Sequence, residues 1–107
     1  MVTSRTIEPG KAILVVQEGW ETSLRFEIVN PVSRCGRSPN SDLLLDDVSV
    51  SRKHAEIIRD DSDFWLVDQG SINGTYLNGR RVLRGRLKSG DKLQIGKFRL
   101  VFMVGAD

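Results

Sequence analysis

The apolar residues of this chain recur at every second position over short segments, and this pattern restricts the fold more than any other feature. The alternation covers residues 24–28, 93–95 and 98–102, whereas residues 12–16 form a continuous apolar run. Because successive side chains point to opposite faces of a β-strand, period two predicts strands with one buried face. Many short strands at close spacing favour an all-β sandwich or barrel.

Turn-forming residues separate the predicted strands. The sequence contains the pairs Asn73-Gly74 and Asn78-Gly79, and the triplet Ser89-Gly90-Asp91. Asn and Gly tolerate the positive φ angles of the tight turns that join neighbouring strands. We therefore expect hairpin turns at both Asn-Gly pairs.

Residues 44–58 fit two kinds of secondary structure. Part of the segment follows a helical stripe, formed by Leu44, Val48, Ser51, Ala55 and Ile58. The same segment contains β-branched residues and the pair Asp46-Asp47, which lose side-chain freedom in a helix or compete for its backbone hydrogen bonds. We favour a loop between two strands and keep the helix as the alternative.

The length of 107 residues is typical of one domain with a single core. Residues 1–10 are polar and end in Pro9-Gly10, so we expect a short flexible N-terminal tail and a domain at residues 11–107. The single cysteine, Cys35, excludes an internal disulfide. No segment approaches the roughly 20 apolar residues of a membrane-spanning helix, and none resembles a signal peptide. We expect a cytoplasmic monomer with no membrane partner.

The charge of the chain is nearly balanced, with 16 Lys and Arg residues against 14 Asp and Glu residues and a formal net charge of +2. Nucleic-acid-binding domains usually show a larger or more localised excess. The one basic run, at residues 80–88, lacks the interleaved aromatic residues on which single-stranded bases stack. We therefore expect no nucleic-acid partner and keep binding through residues 80–88 as a minor alternative.

Motifs for catalysis are missing from the sequence. The only histidine, His54, has no acid or nucleophile arrangement around it, and Cys35 with His54 does not by itself indicate a catalytic pair. No metal-ligand spacing, phosphate-binding loop or dinucleotide fingerprint is present. The sequence predicts a protein that is not an enzyme and that uses no metal and no cofactor.

Polar residues concentrate in three turn segments, at residues 36–38, 49–54 and 70–75. Loops on a rigid β-scaffold are common places for binding sites. Arg presents a planar fork of N–H donors, Ser adds a hydroxyl, and Gly-containing turns expose backbone N–H groups, all of which suit an anion. From these residues alone the anion could be a phosphopeptide, a nucleic-acid phosphate or a neighbouring Asp.

The order and spacing of four motifs resemble the forkhead-associated (FHA) domain. These motifs are Gly36-Arg37, Ser51-Arg52-Lys53-His54, Ser71-Ile72-Asn73-Gly74-Thr75 with Asn78-Gly79, and Gly90-Asp91 before Ile95-Gly96. The resemblance covers about residues 12 to 104. It implies a β-sandwich of about eleven mostly antiparallel strands, with a phosphothreonine-binding site in loops at one end.

The resemblance also implies a role for individual residues. Arg37 and Ser51 would bind the phosphate, with help from Arg52. Asn73 would hold the main chain of the peptide, and Ser71 and Ile72 would line the same loop. Other residues would support the binding loops, namely Gly36, His54, Gly74 and Thr75.

Within the family, the chain is similar to small actinobacterial FHA regulators of Ser/Thr kinase signalling, especially over residues 96–102. That similarity implies partners among phosphorylated kinases or metabolic enzymes, including those of 2-oxoglutarate metabolism. The tail offers only Thr3, Ser4 and Thr6 and lacks the adjacent threonines of those regulators. We therefore expect a stand-alone phosphothreonine reader, with a scaffold that binds proteins without phosphate as the alternative.

Overall fold

The computed structural model describes residues 7–18 and 22–106. Within these ranges the chain forms eleven β-strands and no helix, which confirms the all-β prediction. The strands are β1 (Ala12–Glu18), β2 (Thr22–Ile28), β3 (Val32–Gly36), β4 (Leu43–Leu44), β5 (Ala55–Asp60), β6 (Asp63–Asp68), β7 (Thr75–Leu77), β8 (Arg80–Val82), β9 (Arg84–Leu87), β10 (Lys92–Ile95) and β11 (Phe98–Val104). In the part of the chain so described, no helix could span a membrane.

The strands form two sheets that pack face to face. The larger sheet has the order β2-β1-β11-β10-β7-β8, and the smaller one has the order β4-β3-β5-β6-β9. All strand pairs are antiparallel except β3 with β4, which is parallel. The predicted sandwich of mostly antiparallel strands is therefore confirmed.

Alternation along the strands supplies the core. Leu14 lies opposite Phe102 in the larger sheet, and Ile57 lies opposite Leu66 in the smaller one, and all four side chains are buried. The rings of Phe64 and Phe102 meet between the sheets with centroids 5.2 Å apart. Because paired residues on antiparallel strands share a face, the alternating apolar residues of both sheets form one continuous core between them.

A second, smaller apolar cluster lies on the outer face of the larger sheet. It consists of Ile13 and Val15 of β1, with Val101 and Met103 of β11, and it is covered by Ile7, whose side chain is 6% exposed. This cover explains why residues 12–16 are apolar without interruption. Pro9 also forms a β-bridge with Gly105. Within the expected tail, Ile7 thus packs on the sheet and Pro9 pairs with Gly105, while residues 1–6 lie outside the described part.

The two Asn-Gly pairs differ in their structural role. Asn78-Gly79 forms the β7–β8 hairpin with φ angles of 51° and 83°, as predicted. Asn73-Gly74 instead lies in the connection from β6 of one sheet to β7 of the other, so the hairpin prediction is wrong there. The positive φ of 89° at Gly74 is nevertheless the backbone angle that the sequence suggested.

The segment that allowed two interpretations is a loop, as favoured, and the helical alternative is wrong. Residues 45–54 connect β4 to β5 and run alongside the end of β3. The N–H of Arg37 donates to the carbonyl of Ser51, and the N–H of His54 donates to the carbonyl of Cys35. Val50 is buried while Val48 is 94% exposed, which is not the burial pattern of a helical stripe.

Candidate functional site

The three polar turn segments of the sequence meet at one end of the sandwich, where β3 and β6 end and β5 and β7 begin. We call them the 3–4 loop (residues 37–42), the 4–5 loop (residues 45–54) and the 6–7 loop (residues 69–74). Hydrogen bonds join the loops directly: the Nε of Arg37 donates to Val50 O at 3.0 Å, and the N–H of Ile72 donates to Ser51 Oγ at 3.1 Å. The site is therefore one connected surface.

Gly36 allows the 3–4 and 4–5 loops to pack tightly. A Cβ atom at this position would lie 2.2 Å from the carbonyl oxygen of Arg52, which no real contact permits. This close contact between the two loops lets the N–H of Arg37 donate to Ser51 O and the N–H of Ser38 donate to Arg52 O, both at 3.1 Å. This geometry agrees with the supporting role that the resemblance implies for Gly36.

Arg37 presents a positive charge at the centre of the site. Its Nε anchors the side chain on Val50 O, and among the described residues its guanidinium forms no ion pair. The neighbouring Asp42, a conceivable partner, uses its carboxylate to accept the N–H of Arg34. The interpretation of Arg37 as one half of a structural ion pair therefore has no support in this part of the chain.

Ser51 lies in the 4–5 loop beside Arg37. Its Oγ accepts the N–H of Ile72, and no acceptor for its own hydroxyl proton occurs among the described residues. Its backbone N–H donates to Nδ1 of His54 at 3.0 Å. The backbone of Ser51 is thus fixed, and its hydroxyl can still donate to a ligand.

His54 is a buried structural residue with no exposed surface. Because Nδ1 accepts the N–H of Ser51, the ring proton of the neutral imidazole resides on Nε2, which donates to the carbonyl of Gly74 at 2.8 Å. The ring therefore joins the 4–5 loop to the 6–7 loop. Its geometry agrees with the supporting role implied by the sequence.

Asp68, which belongs to none of the four motifs, organises the 6–7 loop from the end of β6. Its carboxylate accepts the N–H groups of Gly70 and Ser71 and the hydroxyls of Ser71 and Thr75. Burial raises the pKa of Asp68, but these hydrogen bonds outweigh burial and leave its pKa below the ordinary value. The available signal was an Asp two residues before Gly and three before Ser, which is typical of an Asx turn.

Ser71 and Thr75 serve this network. The Ser71 hydroxyl donates to Asp68 and accepts the N–H of Gly74 at 3.0 Å, and its side chain is 7% exposed. The resemblance places Ser71 with the ligand-contacting residues, but its hydroxyl proton is donated to Asp68 inside the loop. Ser71 thus lies with Gly74 and Thr75, which are also buried, beneath the exposed surface of the loops.

Asn73 connects the 6–7 loop to a second polar cluster. Its Nδ2 donates to Ser49 O at 2.9 Å, and its side chain remains exposed. Ser49 donates its N–H and hydroxyl to Asp47, whose carboxylate also lies 3.2 Å from Nζ of Lys97. The Ser49 hydroxyl and N–H, followed by Lys97, lower the pKa of Asp47 to about 2. Asp47 and Lys97 had no signal in the sequence because Lys97 lies in the distant β10–β11 turn.

Arg52 and Ile72 border the site as exposed side chains. Ile72 is 85% exposed although it is apolar, and Val48 of the 4–5 loop is similarly exposed. Arg52 forms no ion pair among the residues that the structure describes, and its carbonyl belongs to the close approach at Gly36. The structure thus brings Arg37, Ser51, Arg52, Ile72 and Asn73 to one surface above buried supporting residues.

The basic run at residues 80–88 is partly engaged in structure. Arg84 lies over the ring of Trp65, with its Cζ 4.2 Å from the ring centroid, and Arg86 pairs with Asp63 at 2.7 Å. Both residues belong to β9, at the edge of the smaller sheet. Charged side chains on an edge strand discourage pairing with other chains. This arrangement gives the alternative of nucleic-acid binding no added support.

Cys35 is buried at the end of β3 with 1% of its surface exposed. Burial raises its pKa to about 12, assisted by the negative charges of Asp42 and Glu56. A thiol with so high a pKa is not a nucleophile. Among the described residues, no group of His, Cys, Asp and Glu side chains is suited to hold a metal ion.

Comparison with known proteins agrees with this architecture. The family model of the FHA domain matches residues 33–96. The chain is 48% identical over 99 residues to the glycogen accumulation regulator GarA of Mycobacterium tuberculosis, covering 92% of this chain and 61% of that protein. It is 51% identical over 96 residues to the oxoglutarate dehydrogenase inhibitor of Corynebacterium diphtheriae, covering 90% of this chain and 67% of that protein. The chain thus spans about three fifths to two thirds of the length of these relatives.

Solved FHA domains share the fold. One, studied for phosphothreonine-dependent FHA interactions, is 26% identical with a TM-score of 0.81, covering 91% of this chain and 99% of that one. An FHA domain from Chlamydia trachomatis is 27% identical with a TM-score of 0.83, covering 90% and 99%. The resemblance inferred from the four motifs is therefore confirmed, and the chain belongs to the FHA-domain family.

Proposed function

We propose that this chain binds phosphothreonine-containing peptides through the 3–4, 4–5 and 6–7 loops. The proposal rests on one observation: Arg37 and Ser51 lie next to each other on one surface. The Arg37 charge has no acidic partner among the described residues, and the Ser51 hydroxyl proton has no acceptor there. A dianionic phosphate supplies the acceptors that both groups lack.

The site divides the work between phosphate and peptide. The terminal N–H groups of Arg37 and the hydroxyl of Ser51 donate to phosphate oxygens, and Arg52 adds a further positive charge. Asn73 uses its exposed amide for the main chain of the peptide while its Nδ2 stays anchored on Ser49 O. The solved relative studied for phosphothreonine-dependent interactions supports this choice of ligand.

The expected affinities follow from the number of donors. Charge-assisted hydrogen bonds contribute roughly 1.5 to 3 kcal/mol each, so two or three of them separate phosphorylated from unphosphorylated peptide by about two to six powers of ten. A peptide that lies on loop tips buries little surface, which keeps the dissociation constant in about the micromolar range. Such a difference is sufficient for a switch controlled by phosphorylation.

The partners that we propose are phosphorylated Ser/Thr kinases or metabolic enzymes, bound by a protein that is not itself an enzyme. The names of the relatives support regulation of metabolism, since one is a glycogen accumulation regulator and another an oxoglutarate dehydrogenase inhibitor. We further propose that the chain acts as a cytoplasmic monomer without nucleic-acid, membrane or cofactor partners.

Calorimetric titration of the chain with a degenerate phosphothreonine peptide library tests the proposal, with unphosphorylated and phosphoserine libraries for comparison. We expect binding of the phosphothreonine library and a loss of at least about tenfold for Arg37→Ala and for Ser51→Ala, because each removes a charge-assisted hydrogen bond. Matched controls are Arg59→Ala and Ser62→Ala, which change exposed residues at the opposite end of β5.

Equal binding of the three libraries would contradict phosphothreonine recognition. Retained binding by Arg37→Ala would show that the site lies elsewhere. Binding of the unphosphorylated library that survives both substitutions would favour the alternative of a phosphate-independent scaffold.

A further inference from the structure

Four side chains form a row across the outer face of the larger sheet, next to the 6–7 loop. Arg81 of β8 lies opposite Tyr76 of β7, Tyr76 lies opposite Gln94 of β10, and Gln94 lies opposite Arg99 of β11. Directly opposite residues of antiparallel strands share a face. Because the adjacent residues Thr75 and Ile95 point into the core, the whole row faces outward.

The row is continuous with the candidate phosphothreonine site. A shallow depression bounded by Ser49, Asn73, Tyr76 and Gln94 begins at the loops, and a second, bounded by Gln94, Arg99 and Lys92, continues along the sheet. Gln94 belongs to both. On the other side, Arg81 lies across Gly74, where an added Cβ would be 2.6 Å from Nε of Arg81. A peptide that is bound at Asn73 and continues over β7 and β10 therefore lies on this surface.

The positive charges along this surface have no acidic partner in the described part of the chain. Arg81, Lys92 and Arg99 are exposed, and none has a carboxylate within 4.0 Å among the residues described. In contrast, the neighbouring Lys97 is paired with Asp47. Asp91, adjacent to Lys92 in sequence, has its carboxylate bonded to Asn78 and to the N–H of Lys88.

We propose that this surface, the basic groove formed by Arg81, Lys92 and Arg99 around Tyr76 and Gln94, binds acidic side chains of the same peptide that the loops hold by its phosphothreonine. The inference rests on the proposed function and specifies the sequences that it selects. Neighbouring strands are about 4.8 Å apart, so Arg81 and Arg99 lie roughly 14 Å from each other. An extended peptide rises about 3.3 Å per residue, so roughly four residues span this distance. Acidic residues roughly two to six positions from the phosphothreonine cover such a span.

Three phosphothreonine peptides test the groove by titration calorimetry. One carries Glu at the second to sixth positions before the phosphothreonine, one carries Glu at the second to sixth positions after it, and one carries Gln at all of these positions. The groove variant is Lys92→Gln with Arg99→Gln. The matched control is Arg84→Gln with Lys88→Gln, which also removes two positive charges, here from the β9 edge and the turn after it.

We expect one of the two Glu peptides to bind about threefold to tenfold more tightly than the Gln peptide, as two exposed charge pairs allow. The groove variant should lose this preference, the control should keep it, and the Gln peptide should bind all three proteins alike. The preference should also weaken as salt is raised.

Equal binding of Glu and Gln peptides by the unchanged protein would overturn the groove while leaving phosphothreonine recognition intact. An equal loss of preference in the control would reduce the effect to net charge and would also overturn it. Binding of a single-stranded oligonucleotide that the groove variant abolishes, without any preference among peptides, would assign the surface to nucleic acid instead. Failure of all three phosphopeptides to bind would overturn the proposed function itself.

Discussion

The imidazole of His54 bridges Ser51 and Gly74, with Nδ1 3.0 Å from the Ser51 nitrogen and Nε2 2.8 Å from the Gly74 oxygen. One buried ring therefore fixes the separation of the 4–5 and 6–7 loops. Ser51 and Asn73, which we propose to contact the peptide, lie on opposite sides of this bridge. The position of the binding groups depends on a side chain that does not itself reach the surface.

We expect His54→Ala to destabilise the fold and weaken phosphopeptide binding together. The substitution leaves a cavity and two unpaired backbone groups, and such changes cost about 2 to 4 kcal/mol of the free energy of unfolding. Urea denaturation measures the stability, with the exposed neighbour Lys53→Ala as the control. A loss no larger than that of the control would contradict the bridging role.

We expect Gly36→Ala to be more damaging than Gly85→Ala, although both glycines lie in strands. At Gly36 the new Cβ would collide with the backbone oxygen of Arg52 at 2.2 Å, whereas at Gly85 it would meet the movable end of the Leu77 side chain at 2.6 Å. Rigid backbone must shift in the first case, and a rotamer change suffices in the second. The midpoints of thermal unfolding should differ by several degrees, and equal midpoints would show that the loop packing at Gly36 is not restrictive.

Much of the fold was predictable because it follows from local alternation. The period-two segments at residues 24–28, 93–95 and 98–102 are all within strands. The burial of Ile7 was not predictable, since only the paired geometry of β1 and β11 shows that the outer face has an apolar cluster to cover. Sheet order likewise depends on pairings distant in sequence, such as β1 with β11.

The site was predictable in the residues that carry recognisable motifs and not in those that support them from a distance. The motifs point to Arg37, Ser51 and Asn73, and these residues meet at one surface. Asp47 and Lys97 are 50 positions apart in the sequence, and their ion pair exists because the β10–β11 turn folds against the 4–5 loop. Ser71 was assigned to the ligand because its motif does not reveal that Asp68 occupies its hydroxyl.

We expect the stability of the chain to fall in acid through Asp47 and Asp68. Both carboxyl groups have a lowered pKa in the folded chain, that of Asp47 falling from 3.8 to about 2. A lowered folded-state pKa stabilises the fold at pH values above the ordinary pKa, and this stabilisation is lost as the carboxylate is protonated. The loss should occur between about pH 4 and pH 2.

Urea denaturation at a series of pH values measures this effect. Asp68→Asn should be less stable than the parent at neutral pH and should lose less stability on acidification. Asp63→Asn provides the control, because Asp63 is an ion-pair partner at the opposite end of β6. The prediction would be wrong if Asp68→Asn followed the same pH profile as the unchanged chain.

Asn73 and Asn78 each precede a glycine, yet we expect substitution of Asn73 to affect binding and substitution of Asn78 to affect stability. Asn73→Ala removes the exposed amide that we propose for the peptide main chain and should weaken phosphopeptide binding by about tenfold with a loss of stability below about 1 kcal/mol. Asn78→Ala places alanine at a φ of 51° and removes the bonds to Asp91 and to the N–H of Lys92. Its cost should be about 1 to 3 kcal/mol of unfolding free energy, with binding unchanged. Titration calorimetry and urea denaturation on both variants separate the two roles, and a loss of binding in Asn78→Ala but not in Asn73→Ala would reverse the assignment.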